Sequence, residues 1–494
     1  MNRALAQALT AIGTRGWLVG GALRDRLLGR ASTDYDIVLG GDPEHIARAL
    51  ARDAGGHPFS LSMQPRAWRV VSHKRLWQVD LVELQGETIE ADLALRDFTI
   101  NAIAQPLAGG DRVDPFGGLE DLRARRLRMV SAGAFDRDPL RTIRLARLAC
   151  ELGFALERET AAVAARSAPG LRRVAPERTF AELGRIVSSG AALRGLELMD
   201  ELAVMQEVLP ELARLHGVPP NARHEENQLD AYEHTHAVLA QTVGLELDPE
   251  RVLGSAAQPV SRLLAQPLAN ELTRWQALRF GALFFNVAKG QARRVNPGRR
   301  PGLAAGHDEV GARMAYAALK RLRASERLCE HVAALTANHL CLGLLVHQAP
   351  LGRRAVYRYL RACSPVEVDV TLLSVAGALV TREHGSGSGS ASGTGSGSGA
   401  GSGSGHGSGR AAARHLELAR QLLDEALAWR SDPPRAPVKG DELARVLAIA
   451  PGPELGRLLA ALQEASFANE INTREQAFER ARELLREGSL GSVS

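Results

Sequence analysis

The stretch LVGGALRDRLLGRASTDYDIV, residues 18–38, decides how the rest of the chain is read. A glycine pair, Gly20-Gly21, stands just before a basic–acidic pair, Arg24-Asp25. Asp34 and Asp36 then alternate with Tyr35 in a β-branched and apolar run. Side chains at i and i+2 of a strand share a face. Two carboxylates projecting from one strand end repel each other unless a cation sits between them. Mg²⁺ is the expected ion, because it favours carboxylate oxygens together with substrate phosphates. A lone glycine pair or a lone D-x-D is a weak motif. Their combination at this spacing, with a helix start between them, points to nucleotidyl transfer.

A length of 494 residues predicts two to four domains. No stretch contains the roughly 20 uninterrupted apolar residues that a membrane span needs. The opening residues MNRALAQALTAIG read as an amphipathic helix, without the apolar core of a secretory signal. Cys150, Cys329, Cys341 and Cys363 are far apart and lack metal-ligand spacing. They read as buried thiols of a cytoplasmic protein. The net charge is +5 and the isoelectric point about 9.2. Nearly all of the basic residues are arginine, which suits bidentate contacts to phosphates and bases and permits a nucleic-acid partner.

Residues 16–130 alternate short β-rich runs with helical ones. Strands are predicted at 17–21, 34–40, 68–73 and 76–84, and a helix at 42–53. From about 131 onward the periodicity is helical. The predicted class is α+β, with an α/β head over 1–130 followed by an all-helical neck (131–215), body (216–383) and tail (411–494). Between body and tail, residues 384–410 form a Gly/Ser tract that cannot bury apolar surface and is expected to be a disordered coil.

Further motifs follow the first. LRDFTINAIA (95–104) carries Arg96-Asp97, and DPFGGLEDLRARRLRMV (114–130) joins a tight turn to a basic helix. DPLRTIRLARLACELGF (138–154) sets Asp138, Arg141 and Arg144 three apart, which on a helix makes one polar stripe. PERTFAEL (176–183) opens another helix. In type and order this series resembles the class II CCA-adding enzyme and bacterial poly(A) polymerase family. The resemblance covers about residues 1–220.

The resemblance implies a polymerase-beta-like nucleotidyltransferase head and extension of a tRNA 3′ end from CTP, and possibly ATP, without a nucleic-acid template. Asp34 and Asp36 match the family's metal-binding carboxylates. Gly20, Gly21, Arg24 and Asp25 match the motif that approaches the incoming triphosphate. Arg96 and Asp97 match an R-R-D motif that contacts the nucleotide, with Leu95 in place of its first arginine. Asp138, Arg141 and Arg144 match the helix that reads the base, with Arg137 where the family often has an acid. An Asp accepts from an exocyclic amine and an Arg donates to ring acceptors, which favours C and A. Asp80 is either a third acid or an ordinary edge-strand Asp. The eleven residues 85–95 are shorter than the flexible segment used to switch from C to A, so CC addition is expected. Full CCA addition, A addition and poly(A) synthesis are the alternatives of the same chemistry, and an RNA-binding protein with a dead head is the alternative of another class.

Residues 216–316 resemble an HD phosphohydrolase domain. His234 and His307 stand at ligand-like positions, but Phe285 and Asn286 occupy the place of the diagnostic His-Asp pair. Phenylalanine cannot bind a metal and Asn is a weak substitute. A degenerate, metal-free scaffold is expected there.

Overall fold

A computed structural model of the chain describes residues 3–219, 229–289, 307–348, 350–386 and 405–487. The chain divides into two compact units, Met1–Val208 and Leu209–Ser494.

The first unit opens with α1 (Arg3–Ala11) and then builds a mixed sheet. Its strands are β1 (Gly16–Val19), β2 (Asp34–Leu39), β3 (Gly56–Met63), β4 (Arg66–Ser72), β5 (Gln78–Glu83) and β6 (Ala104–Pro106). Their order across the sheet is β3-β4-β5-β2-β1-β6. β2 runs parallel to β5, and the other neighbours are antiparallel. Between β1 and β2 lies α2 (Gly20–Leu27), and after β2 comes α3 (Pro43–Ala54). Asp42 caps α3 by accepting from the Glu44 amide at 3.1 Å, and Pro43 fits the first turn, where no amide donor is needed. The helix buries Ala47, Leu50 and Ala51, and Arg48 lies over the Trp68 ring of β4 at 5.7 Å.

The four predicted strands correspond to β1, β2, β4 and β5. The first ends at Val19 because Gly20 already starts α2. β3 and β6 were not expected. The β3 sequence GHPFSLSM holds a Gly, a Pro and two Ser, which weaken any strand signal, and its pairing along β4 supplies the order instead.

Helix α4 (Ile89–Leu93) is capped by Thr88, whose hydroxyl accepts from the Ala91 amide. Ile89 and Leu93 pack with Val19, Val38, Ala102 and Ala104 in one cluster. That packing fixes the segment between β5 and β6 against the central strands. The first unit continues with α5 (Gly118–Arg123), α6 (Ala134–Arg137), α7 (Leu140–Leu152), α8 (Arg158–Ser167), α9 (Pro176–Ser188) and α10 (Ala192–Glu201). α7 is the central helix of this half, with Ile143, Leu145 and Ala146 fully buried.

Among its described residues the second unit is helical apart from a small β-ladder at 267–273. Its helix Ala231–Leu247 carries a complete capping box from Asp230 and Glu233. In its core the buried Asp369 accepts from Arg274 and lies 3.3 Å from His331 Nε2. The helices Gly440–Leu447, Pro453–Phe467 and Arg474–Arg486 close over their own cluster around Leu443, Leu458, Leu462, Ala477 and Ala481. By length and composition Glu326–Leu345 would suffice to cross a membrane, but Leu328, Val332, Leu335 and Leu342 are buried inside this unit. Most of the Gly/Ser tract lies outside the described residues. Its ends, 384–386 and 405–410, belong to the helices Glu367–Ser386 and Gly405–Ser431.

Candidate active site

Strand register brings the two carboxylates together. Asp34 opens β2 opposite Gln78 of β5, and Asp36 lies opposite Asp80 of β5 and Val19 of β1. Asp34 is exposed and Asp36 half-buried. Burial pushes the Asp36 carboxyl up to about 6, against the pull of Arg96 and with further push from Asp34 and Asp80. Ionising such a carboxyl costs energy that a nearby cation would offset. Gly20 leaves room at the same point. Its φ is +68°, and a Cβ there would stand 2.7 Å from Asp36 Oδ2 and 3.3 Å from Arg96 Nη1. Any other residue would be strained and would crowd that carboxylate oxygen. The donor set therefore fits a divalent cation. Among the described residues no group of three or more His, Cys, Asp or Glu is arranged to hold a metal, so the remaining ligands would be water and substrate phosphate.

Asp80 lies beside Asp36 and is not an edge-strand residue. β5 is internal, between β4 and β2. Arg69 of β4 takes both Asp80 oxygens, Nε to Oδ1 at 2.6 Å and Nη2 to Oδ2 at 2.7 Å.

Across from the carboxylates opens a cavity of about 560 Å³. Its lining holds six arginines (Arg24, Arg96, Arg141, Arg144, Arg147 and Arg185) against five aspartates. A nucleoside triphosphate needs this cationic excess. Arg96 reaches Asp92, one helical turn back on α4, at 3.1 Å. The Nε atoms of Arg96 and Arg141 are buried without a hydrogen-bond partner. Arg24 is spent within the wall, on Asp25 through Nε and on Asn101 Oδ1 through Nη1, each at 2.9 Å.

Asp97 lies deeper than a contact residue. Its Oδ1 accepts from the Phe98 amide at 2.7 Å and from Asn101 Nδ2 at 3.0 Å, and Arg144 Nη1 approaches Oδ2 at 3.4 Å. Burial opposes its charge, but Arg144, Asn101 and that amide together hold the carboxyl below its ordinary value. Arg144 then donates to Glu182 of α9 at 3.1 Å. Glu182 also binds Arg147, which bonds Glu151 at 2.6 Å, and Glu151 in turn accepts from Arg185. The arginine wall is thus braced from behind by Asp97, Glu182 and Glu151. Asn101 lies within the quoted LRDFTINAIA motif and Glu182 within PERTFAEL, but neither spacing marked a site. The i, i+4 pair Asp92–Arg96 was the one local signal that could have revealed a further member.

The expected polar stripe is corrected. α7 begins at Leu140, and Asp138 precedes it in extended backbone with φ −146°. Pro139 follows Asp138 and disfavours helical backbone there. Asp138 does not line the cavity; its carboxylate accepts from the Leu140 amide and from Arg178 Nη2 at 2.9 Å. Arg141 and Arg144 do line it. Arg141 donates to the carbonyls of Leu95 (2.7 Å), Arg96 and Ala134, and Arg137 donates to that of Ala94. Leu95, in the place of an arginine, lies on the cavity wall.

In the second unit the HD-like residues also meet. Asn286 Nδ2 lies 2.9 Å from His234 Nδ1 and 3.0 Å from Thr235 Oγ1. The Phe285 ring lies 5.8 Å from that of His234 and 4.4 Å from that of His339. A Cβ on Gly377 would touch the same phenyl at 2.8 Å. Burial pushes the His339 imidazole down to about 4 and the nearby Lys289 ammonium down to about 8. The side chain of His307 lies outside the described residues.

The chain matches the family model of the poly A polymerase head domain over residues 16–128, and that of the probable RNA and SrmB-binding site of polymerase A over 153–215. It is 32% identical over 466 residues to a CC-adding tRNA nucleotidyltransferase of Thermus thermophilus, covering 93% of this chain and 91% of that relative. It is 33% identical over 475 residues to an A-adding tRNA nucleotidyltransferase of Deinococcus radiodurans, covering 93% of each. Its fold matches a Thermotoga maritima CCA-adding enzyme solved with tRNA, at TM-score 0.60 and 17% identity over 98% of this chain and 96% of that one. With a relative at this identity covered over nine-tenths of its length, and with the head-domain model falling on the cavity-bearing unit, the chain belongs to the class II CCA-adding tRNA nucleotidyltransferase and poly(A) polymerase family.

Proposed function

We propose that this chain is a Mg²⁺-dependent tRNA nucleotidyltransferase that adds the CC of the 3′-terminal CCA and acts in the cytoplasm. The observation that carries the reading is the two-carboxylate strand end facing the arginine-lined cavity. Asp34 and Asp36 would hold the ion, which when bound would supply charge neutralisation for the triphosphate and a more acidic RNA 3′-hydroxyl. Gly20 and Gly21 let the triphosphate approach the backbone closely. Arg96 and Arg144 face its charge. Arg24, Asp25 and Asp97 hold the floor of the cavity in shape. Asp138 and Arg141 read the base, Asp138 by exchanging its exposed partner Arg178 for an exocyclic amine. The free thiols suit a reducing compartment.

CC specificity rests on the segment 85–95. The Gln85 amide donates to Asp92 at 3.2 Å, and Arg137 and Arg141 hold the carbonyls of residues 94–96. A segment tied at both ends has little reach for a second base geometry. Addition of A to an RNA already ending in CC is the second reading, favoured by the similarity to the Deinococcus relative over the same span. The HD-like cluster serves as scaffold in both readings.

Incubation of the protein with Mg²⁺ and tRNA lacking CCA, with CTP and ATP separately and together, tests this. Two C residues and no A are expected. Incorporation of A onto tRNA ending in CC, with none of C onto the shorter tRNA, selects the second reading.

A further inference from the structure

The cavity takes only one side of the carboxylates. It draws on α2, β2, α4, α7 and α9, and none of its lining residues belongs to β3, β4 or β5. In-line transfer sets the attacking oxygen opposite the leaving pyrophosphate. With a triphosphate in the cavity, an RNA 3′-hydroxyl has the side of β5, β4 and β3 to approach from.

That side of the sheet carries a row of direct cross-strand partners. Asp36 pairs with Asp80, Asp80 with Arg69 of β4, and Arg69 with Phe59 of β3. Direct partners share a face, so the Phe59 ring leaves the sheet on the carboxylate side. α3 covers the other face, where Arg48 lies over Trp68 and where Val70, Val79 and Leu81 are fully buried. Phe59 is 45% exposed. Leu61 and Met63 are exposed on the same strand, but Leu61 falls in the β-bulge and Met63 pairs with Arg66, farther from the carboxylates. Three strand spacings separate Phe59 from Asp36, about 14 Å in all. At about 3.4 Å per stacked base this is about four bases, and fewer in an extended strand.

The turn from β4 to β5 lies at the same end of the sheet, since Gln78 pairs with Asp34. Buried Ser72 pins it, its hydroxyl accepting from the amides of Leu76 and Trp77 at 2.7 and 3.1 Å. Lys74 and Arg75 stand exposed at its tip. Cations for the phosphates beside an open ring for a base are the combination that holds single-stranded nucleic acid.

We propose that Phe59 stacks on an unpaired base just behind the RNA 3′ end, with Lys74 and Arg75 on the adjoining phosphates, so that the terminal hydroxyl is held at the carboxylates. This rests on the reading of the chain as a tRNA 3′-end nucleotidyltransferase. Every base has a π-face, so stacking holds the strand without reading its sequence. Phe59 therefore serves the RNA and leaves the choice of incoming nucleotide to the cavity.

A tRNA ending in one C, with 2-aminopurine as the unpaired base before it, tests this with the full chain. Stacking quenches the fluorescence of that base, and titration gives the affinity. Phe59→Ala should lose the quenching and weaken binding about tenfold. KM for tRNA should rise by the same factor, while KM for CTP at saturating tRNA stays within about twofold. Phe59→Trp should restore both quenching and affinity. Phe59→Leu keeps apolar bulk without a π-face and should behave as Phe59→Ala does, which keeps the test alive if the smaller variant does not fold. Lys74→Ala with Arg75→Ala should lower the slope of log affinity against log salt by about 1.4, for two single-strand phosphate contacts. Unchanged quenching and affinity in folded Phe59→Ala or Phe59→Leu would overturn the proposal. So would a rise in KM for CTP with none for tRNA. A changed oligomeric state at unchanged RNA affinity would make β3 a contact between copies and would also overturn it. If the starting protein does not extend tRNA, the reading beneath falls and the proposal with it; if it does and Phe59→Ala matches it, Phe59 alone is misassigned.

Discussion

Two clusters in this chain are built from residues that bind metals elsewhere, and they have opposite character. At the strand end of the first unit, Asp34 and Asp36 face open space kept clear by Gly20, and burial holds the Asp36 carboxyl up at about 6. In the second unit, His234, Asn286 and His339 surround a phenyl ring that packs on Gly377, and burial drives His339 down to about 4. The first cluster carries repulsion that a cation would relieve. The second is filled by the Phe285 ring, and burial keeps His339 neutral near pH 7. A metal-type residue at a family position is thus not enough; what differs is whether the space between the donors is empty and whether their charge is unmet.

The largest expected effect breaks the first cluster. Asp34→Ala or Asp36→Ala should lower nucleotide incorporation by about a thousandfold or more, since each removes an ion worth several kcal/mol in the transition state. Single-turnover incorporation of labelled CTP measures it. Full activity in either variant would place the ion elsewhere.

Next comes the brace behind the arginine wall. Glu182→Gln leaves Arg144 and Arg147 sharing a neutral amide in a buried setting, which should cost about 3 kcal/mol of stability in the first unit. Urea unfolding would show it, and KM for CTP should rise as Arg144 loses its support. Unchanged stability would mean that Asp97 and Glu151 suffice.

A smaller effect concerns base choice. Asp138→Asn should raise misincorporation of U relative to C by about tenfold, because the amide can donate to the carbonyl that U presents in place of the cytosine amine. An unchanged C-to-U ratio would show that Asp138 stays with Arg178.

The pH dependence sharpens the contrast between the clusters. Asp36 titrates near 6, above its ordinary value. At limiting Mg²⁺ the rate should fall as pH drops through about 6, and excess Mg²⁺ should move that limb lower by competing with the proton. The stability sign follows. A raised carboxyl pKa makes ionised Asp36 unfavourable in the fold, so the metal-free first unit should lose stability from about pH 4 to 6 and regain it on adding the ion. His339, pushed down to about 4, is already neutral where Asp36 titrates near 6 and contributes no metal-linked change there.

The smallest effect on activity is expected at the filled cluster. Phe285→Ala should destabilise the second unit by about 2 kcal/mol through the void it leaves, with little change in turnover. Loss of turnover equal to that in Asp36→Ala would assign chemistry to the second unit.

Much of this was legible from local sequence. The alternation of Asp34 and Asp36 in a β-branched run, the glycines before Arg24 and the missing His-Asp pair at Phe285-Asn286 are local patterns, and local patterns report strand faces and residue chemistry. The stripe of Asp138, Arg141 and Arg144 misled, because spacing assumes one continuous helix and Pro139 starts that helix too late to include Asp138. β3 was invisible because a strand of Gly, Pro and Ser takes its order from its partner.

By itself the sequence pointed to residues that could hold a cation and a triphosphate, and put Phe285 and Asn286 where a His-Asp pair would stand. Tertiary structure alone decided how those charges are shared. That Asp80 lies beside Asp36 but belongs to Arg69, that Arg24 and Asp97 form the floor and that Glu182 braces Arg144 depend on contacts 11 to 77 residues apart in the chain. No short pattern encodes such pairs, because the energy of a charge is set by what packs against it and not by what precedes it.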